Sequence, residues 1–318
     1  MTRTERQNLP LRRCLLPALI ASLTFAMPGR ADDQLVLQFA TDVNGAPFAC
    51  GQSYAGIGTA ATTITPTDLR FYISSVALLD ANDKAVPLAL EQDGVWQYQD
   101  VALLDFEDGS GPCQNGNAPT NHVVRGTVPA GDYTGLEFTL GLPFALNHAD
   151  NLLAASPLNL SAMFWNWQGG YRFFKLDLAV APGTAMGGGM GSGMGSGMAG
   201  GMQGGMMKRD NPEAGAGHGN GGFLVHLGST GCASAATTTA PAAACANPNR
   251  VTVTLSDFDA TADTVVVDVA ALLQFSDVSV NTPDTSPGCM SGPNDPECAG
   301  IFRGFGLDGS GQKLFRVK

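Results

Sequence analysis

Short runs of Val, Thr, Leu and Phe, each ended by Gly, Pro, Asn or Asp, recur along most of this 318-residue chain. No stretch sustains the 3.6-residue apolar period of an amphipathic helix, so the pattern is that of strands and turns. Candidate strands fall at 35–39, 69–79, 96–103, 122–128, 133–140, 171–180, 222–227, 250–255, 264–269 and 304–307. In Leu35-Val36-Leu37-Gln38-Phe39 and Val251-Thr252-Val253-Thr254-Leu255 every second residue is a large apolar one, as a strand with one buried face requires. About ten such strands predict an all-β fold, a single β-sandwich or barrel-like domain with long loops. Residues 270–275 are the best candidate for a short helix.

The first 31 residues stand apart. Arg3, Arg6, Arg12 and Arg13 precede an apolar run from 14 to 27, and Gly29-Arg30-Ala31 offers small residues at the usual cleavage positions. That order predicts a signal peptide over 1–31, a mature domain over 32–318, and a periplasmic or extracellular-surface location. The Arg12-Arg13 pair leaves a twin-arginine signal open beside ordinary secretion. Cleavage removes five Arg and one Glu from 17 basic and 28 acidic residues, leaving 12 against 27 and a net charge of −15 over 287 residues. So acidic a surface repels phosphate and argues against nucleic acid or anionic membrane as a partner. No later run reaches the roughly 18 apolar residues of a transmembrane span.

Cys14 leaves with the signal, and six cysteines remain: Cys50, Cys113, Cys232, Cys245, Cys289 and Cys298. An even number in an exported chain favours three disulfides over free thiols. Short intervening loops favour Cys232 with Cys245 and Cys289 with Cys298, which leaves Cys50 with Cys113 as the long bridge. Zinc is the competing use of these residues, but no Cys-x-x-Cys pair is present.

Residues 183–222 break the strand texture with 17 Gly and seven Met. Met186, Met190, Met194, Met198, Met202 and Met206 repeat every four residues, and Met207 follows. Glycine at this density costs about 1 kcal/mol per position relative to Ala in a helix, so a disordered Met/Gly-rich insert between two strands is expected. Its thioethers are soft donors that suit a weak Cu(I) site, and incidental Met in a Gly-rich expansion is the plainer alternative.

Few residues are candidates for chemistry. Of four histidines, His148 follows a strand in a polar turn, His226 ends the 222–227 strand, His122 opens another, and His218 lies in the insert. Trp165 and Trp167 would share one face of an extended segment, an arrangement that core packing also produces. Asp105, Glu107 and Asp108, and Asp257 with Asp259, read as solvated turn carboxylates, since neither set has the spacing of a helical calcium loop. Nucleophile elbows, His-Glu-x-x-His pairs and phosphate-cradling Gly loops are all missing from the sequence, so a non-enzymatic role is expected.

Several segments resemble the secreted copper-binding proteins of the methanobactin-associated MbnP type, also described as the four-Cys member of a metallo-mystery pair. They are Phe48-Ala49-Cys50-Gly51 with Tyr54-Ala55-Gly56-Ile57-Gly58, then Asp68-Leu69-Arg70-Phe71-Tyr72-Ile73, and Leu103-Leu104-Asp105-Phe106-Glu107 before Cys113. Leu140-Gly141-Leu142-Pro143 running to Asn147-His148, and Pro157-Leu158-Asn159, continue the series. Met163-Phe164-Trp165-Asn166-Trp167 with Gly170-Tyr171-Arg172-Phe173, and His226-Leu227-Gly228 before Cys232, complete it. The resemblance implies a β-rich periplasmic or surface protein that binds copper and is paired with a di-haem enzyme similar to cytochrome c peroxidases and MauG. It further implies that this partner oxidises a tryptophan to kynurenine and that copper binding depends on the product. We assign His148, His226 and one of Trp165 and Trp167 to the copper site from their place within the matching segments, with His122 as first substitute. A secreted structural or adhesive β-sandwich without metal function is the alternative.

Overall fold

The computed structural model describes residues 1–2, 31–114, 116–181 and 222–318. The N-terminal apolar segment read as a signal peptide and the insert, with Met186, Met190, Met194, Met198, Met202, Met206 and His218, lie outside the described residues. The residues from Asp32 to Lys318 form one compact unit, and the description below concerns it alone.

Two sheets face one another. The first runs Phe315–Val317, Thr264–Asp268, Asp33–Val43, Val123–Val128, Ala89–Leu90, with Asp33–Val43 and Thr264–Asp268 parallel. The second runs Gly222–Leu227, Phe174–Val180, Thr62–Asp80, Tyr133–Leu140, Val251–Ser256, and each neighbouring pair is antiparallel. Rings from both sheets interlock between them: Phe39 lies 6.0 Å from Phe138, Phe138 lies 5.1 Å from Phe315, and Phe315 lies 5.7 Å from Phe71. This is the β-sandwich that the strand texture predicts. Alternation holds where one face meets solvent, as in Val251–Ser256, whose burial alternates residue by residue.

The long central strand Thr62–Asp80 behaves differently, because both of its faces are covered from Asp68 to Ser74. Leu69, Phe71 and Ile73 belong to the core between the sheets. Asp68, Arg70 and Tyr72 occupy the other face, where a smaller cluster of Tyr72, Leu103, Leu142, Leu158, Met163, Tyr171 and Phe173 seals the apolar part. The loops between 142 and 173 supply most of that cover and carry the candidate site.

Several segments differ from their sequence reading, among them 171–180, which divides into Gly170–Tyr171 and Phe174–Val180 in different sheets. Residues 96–103 divide into Gln97–Tyr98 and Val101–Asp105, paired as a hairpin through Gln99 at φ 53°. Residues 304–307 are not a strand: Gly304 lies inside the helix Cys298–Phe305, and Gly306 ends that helix at φ 74°. Glycine serves close approach there, since a Cβ on Gly304 would lie 2.2 Å from the Leu272 carbonyl oxygen of the short helix Val269–Leu273. Asp105 and Glu107 are completely buried rather than solvated, whereas Asp257 and Asp259 are exposed as expected.

Candidate metal centre

All six cysteines among the described residues are paired, Cys50 with Cys113, Cys232 with Cys245, and Cys289 with Cys298, as loop length favours. The second bridge lies beside His148.

A small hairpin, Phe164–Asn166 with Gly170–Tyr171, turns through residues 167–169. Asn166 Oδ1 accepts from Gly169 N–H at 2.7 Å to close the turn. Gly170 adopts φ +79°, and a Cβ there would lie 2.4 Å from the Asn147 carbonyl oxygen, so only glycine fits. Because the strand ends at Asn166, the alternation that would place Trp165 and Trp167 on one face does not extend to Trp167. Both indoles are partly exposed, so neither is sealed into the core.

Asn147 ties this hairpin to His148. Its Oδ1 accepts from Tyr171 N–H at 2.9 Å, and its Nδ2 donates to His148 Nε2 at 3.1 Å and to Ser229 Oγ at 3.4 Å. With Nε2 accepting, His148 Nδ1 carries the proton and donates to the Trp167 carbonyl oxygen at 3.2 Å. Burial lowers the His148 pKa against the opposing effect of that carbonyl, which keeps the imidazole neutral with its lone pair on Nε2. Cys245 Sγ lies 3.5 Å from that atom. His148, Cys232 and Cys245 have their ligand atoms within 4.8 Å of one another, but the bridged sulfurs offer no thiolate.

His226 occupies the polar layer on the outer face of the same sheet. Lys175 and His226 are cross-strand partners, and Lys175 Nζ bonds Asp177 Oδ2 at 2.7 Å and also bonds Asp68. Asp68 in turn holds Arg70 through Nε at 2.9 Å, and Arg70 reaches Glu107 at 3.7 Å. His226 Nε2 bonds Asp177 Oδ1 at 2.6 Å, and its Nδ1 accepts from Arg172 Nε at 3.3 Å. Burial lowers the His226 pKa despite Asp177. Against its own burial, Asp177 is held well below the usual carboxylate range by His226 and Lys175.

Arg172 links this layer to Trp165. Its guanidinium lies 5.6 Å from the centre of the Trp165 ring, and its Nη1 donates to the carbonyl oxygens of Ala162 and Phe164, each at 3.0 Å. Trp165 also covers Gly228, where a Cβ would lie 2.5 Å from Cζ3 of the indole. His148 therefore engages Trp167, and Trp165 and His226 engage a common arginine. His122 is elsewhere: it stacks on Phe106 at 4.6 Å and lines a depression of about 350 Å³ with Asp93, Trp96, Gln97 and Arg125.

Sequence reasoning gave no role to Asn147, Arg172 or the buried charges Asp68, Arg70, Lys175 and Asp177, and it read their buried neighbours Asp105 and Glu107 as solvated. The i, i+2 charge pairs Asp68-Leu69-Arg70 and Lys175-Leu176-Asp177 were the available signal, since in a strand both members face one side.

The sequence model of the MbnP family matches residues 32–291, more than half of the chain. The chain belongs to the MbnP family. Its MbnP-family fold is similar to the solved structure of MbnP from Methylosinus trichosporium, with a TM-score of 0.70, 30% sequence identity, and coverage of 90% of this chain and 98% of that one. No curated protein matches the chain. No helix among the described residues is long and apolar enough to cross a membrane.

Proposed function

We propose that this MbnP-family protein is a periplasmic or surface copper binder, not an enzyme, whose site combines His148, His226 and one of Trp165 and Trp167 after oxidation to kynurenine. A di-haem enzyme of the cytochrome c peroxidase and MauG type is the partner that carries out the oxidation. One observation supports the site above others: each histidine is a neutral tautomer whose lone pair, on His148 Nε2 and on His226 Nδ1, faces a single N–H donor, with His148 bonded to the Trp167 backbone and His226 linked through Arg172 to the Trp165 ring. Two imidazoles suit copper, and a metal need displace only the donors of Asn147 and Arg172. An intact indole nitrogen is no ligand, whereas opening the indole ring gives an aromatic amine and a carbonyl. Partial exposure leaves either ring open to a docked oxidising partner.

The competing function, a structural or adhesive sandwich, gains support from His226, whose two ring nitrogens are both satisfied within the protein. Intact-mass spectrometry after co-expression with the di-haem enzyme separates the two. Conversion to kynurenine exchanges one carbon for one oxygen and adds roughly 4 Da, which packing alone cannot do. An unchanged mass would favour the structural role.

A further inference from the structure

We propose that His148, Cys232 and Cys245 form a second, redox-gated site that takes one Cu(I) when the Cys232–Cys245 bridge is reduced. The three ligand atoms already lie within 4.8 Å of one another, and the lone pair of His148 Nε2 is 3.5 Å from Cys245 Sγ. Two thiolates and one imidazole form a soft, three-coordinate donor set suited to Cu(I).

The loop is built to keep the thiols together once the S–S bond is gone. Thr230 and Asn247 exchange N–H to carbonyl bonds of 2.9 and 3.0 Å, and Ala246 N–H donates to the Gly231 carbonyl at 3.1 Å. These bonds close the neck of the loop immediately outside both cysteines, independently of the bridge. Gln168 Nε2 donates to the Cys232 carbonyl at 3.1 Å and Gln168 N–H to the Thr237 carbonyl at 3.2 Å, which pins the loop to the hairpin beside His148. Residues 235–240 are exposed, so the sulfurs can separate to metal-ligand spacing without disturbing the core. Cys232 and Cys245 are each only 7% exposed, which shelters a bound ion from solvent.

The chemistry balances with a dithiol as reductant. The dithiol gives two electrons and two protons and becomes a disulfide, the Cys232–Cys245 bond breaks, and two thiols form. Binding of Cu(I) then releases the two thiol protons. Reoxidation by a second disulfide, which takes the two electrons and is reduced to its two thiolates, reforms the Cys232–Cys245 bond and expels the ion.

The site shares His148 with the copper site proposed above but needs neither His226 nor an oxidised tryptophan. The mature chain made without any di-haem enzyme therefore tests it separately. The chain is reduced anaerobically with dithiothreitol, desalted, checked for fold by circular dichroism and mixed with one equivalent of Cu(I). Expected are a near-ultraviolet thiolate-to-copper absorption, protection of Cys232 and Cys245 from iodoacetamide in peptide mass maps, and loss of both in the C232S/C245S variant. His148→Ala should weaken Cu(I) binding by at least the roughly tenfold that loss of even an outer partner costs a metal site, while His226→Ala leaves this signal unchanged. Unprotected Cys232 and Cys245, an undiminished signal in His148→Ala, unfolding before the pair opens, or preference for Zn(II) in competition would each overturn the proposal. None of these outcomes bears on the His226-dependent site, which His226→Ala and the mass measurement address.

Discussion

Arg172 donates from Nε to Nδ1 of His226 across 3.3 Å. The bond fixes the proton of His226 on Nε2, facing Asp177, and leaves Nδ1 as the one atom of that ring able to receive a metal. Copper must therefore displace Arg172, whose guanidinium also rests over Trp165. Removal of either histidine is expected to lower copper affinity, but the two differ in stability. His226→Ala leaves Asp177 and Arg172 buried with lost partners and should destabilise the fold by about 1–3 kcal/mol. His148→Ala leaves the Asn147 amide its bond to Ser229 and removes a partner from the Trp167 carbonyl, and should cost about 1 kcal/mol. Thermal melts with copper competition titrations check both; parent-like copper binding in both variants would refute the ligand assignment.

Asp105 sets a pH dependence. It is fully buried with Oδ2 unpaired, and burial raises its pKa to about 7, against the pull of Arg70 and with the help of Glu107. A carboxyl whose folded pKa exceeds its unfolded value binds more protons when folded, so its contribution weakens stability as pH rises from about 4 to about 7 and is flat above that. Asp105→Asn should flatten this slope and, at pH 8, raise stability relative to the parent by on the order of 2 kcal/mol. Denaturant midpoints across pH 4–8 test the sign; an identical slope in the variant would show that Asp105 does not titrate there.

The bridges should contribute unequally. Cys50 and Cys113 close a separation of 63 residues, against 13 for Cys232 with Cys245 and 9 for Cys289 with Cys298. Loop-closure entropy then makes paired Ser substitution cost about 4 kcal/mol at the long bridge and about 3 kcal/mol at each short one. Thiol titration of the denatured, unreduced chain should find almost no free thiol, and unfolding curves of the three double variants give the order.

Ala179 and Gly222 are paired neighbours in the sheet, so the chain on either side of the insert is already in hairpin register. Replacement of 182–221 by a short Gly-containing turn should keep the melting temperature within a few degrees, since strand pairing on both sides is retained. Total Cu(I) uptake should fall if Met186, Met190, Met194, Met198, Met202 and Met206 collect the ion. Unchanged uptake would remove any metal role for these methionines.

The sequence showed the sandwich wherever one strand face meets solvent, because burial then writes an alternation that can be read, as in Val251–Ser256. It hid the site's foundation. Residues from Asp68 to Ser74 are buried on both faces, so their charges are interspersed with core residues and carry no alternation of exposure. The helix Cys298–Phe305 was hidden for another reason: Gly300 and Gly304 lower helix propensity, yet a Cβ on either would lie within 2.4 Å of a carbonyl oxygen, that of Phe275 or of Leu272. His148 and His226 were legible as histidines near loop edges, but the tautomers that leave the lone pair on Nε2 in one and Nδ1 in the other depend on Asn147, oriented by Tyr171 from across the chain, and on Arg172, far in sequence from His226.

Dependence of copper binding on an oxidised tryptophan is tested most directly by equilibrium competition on one chain in two forms, produced with and without the di-haem enzyme and distinguished by peptide mass. The form carrying the added roughly 4 Da at Trp165 or Trp167 should bind one copper ion tightly, and the unmodified, fully disulfide-bonded form should bind it at least about tenfold more weakly for want of a ligand. Equal affinity in the two forms, or modification at Trp96 alone, would contradict a site built from His148, His226 and an altered indole.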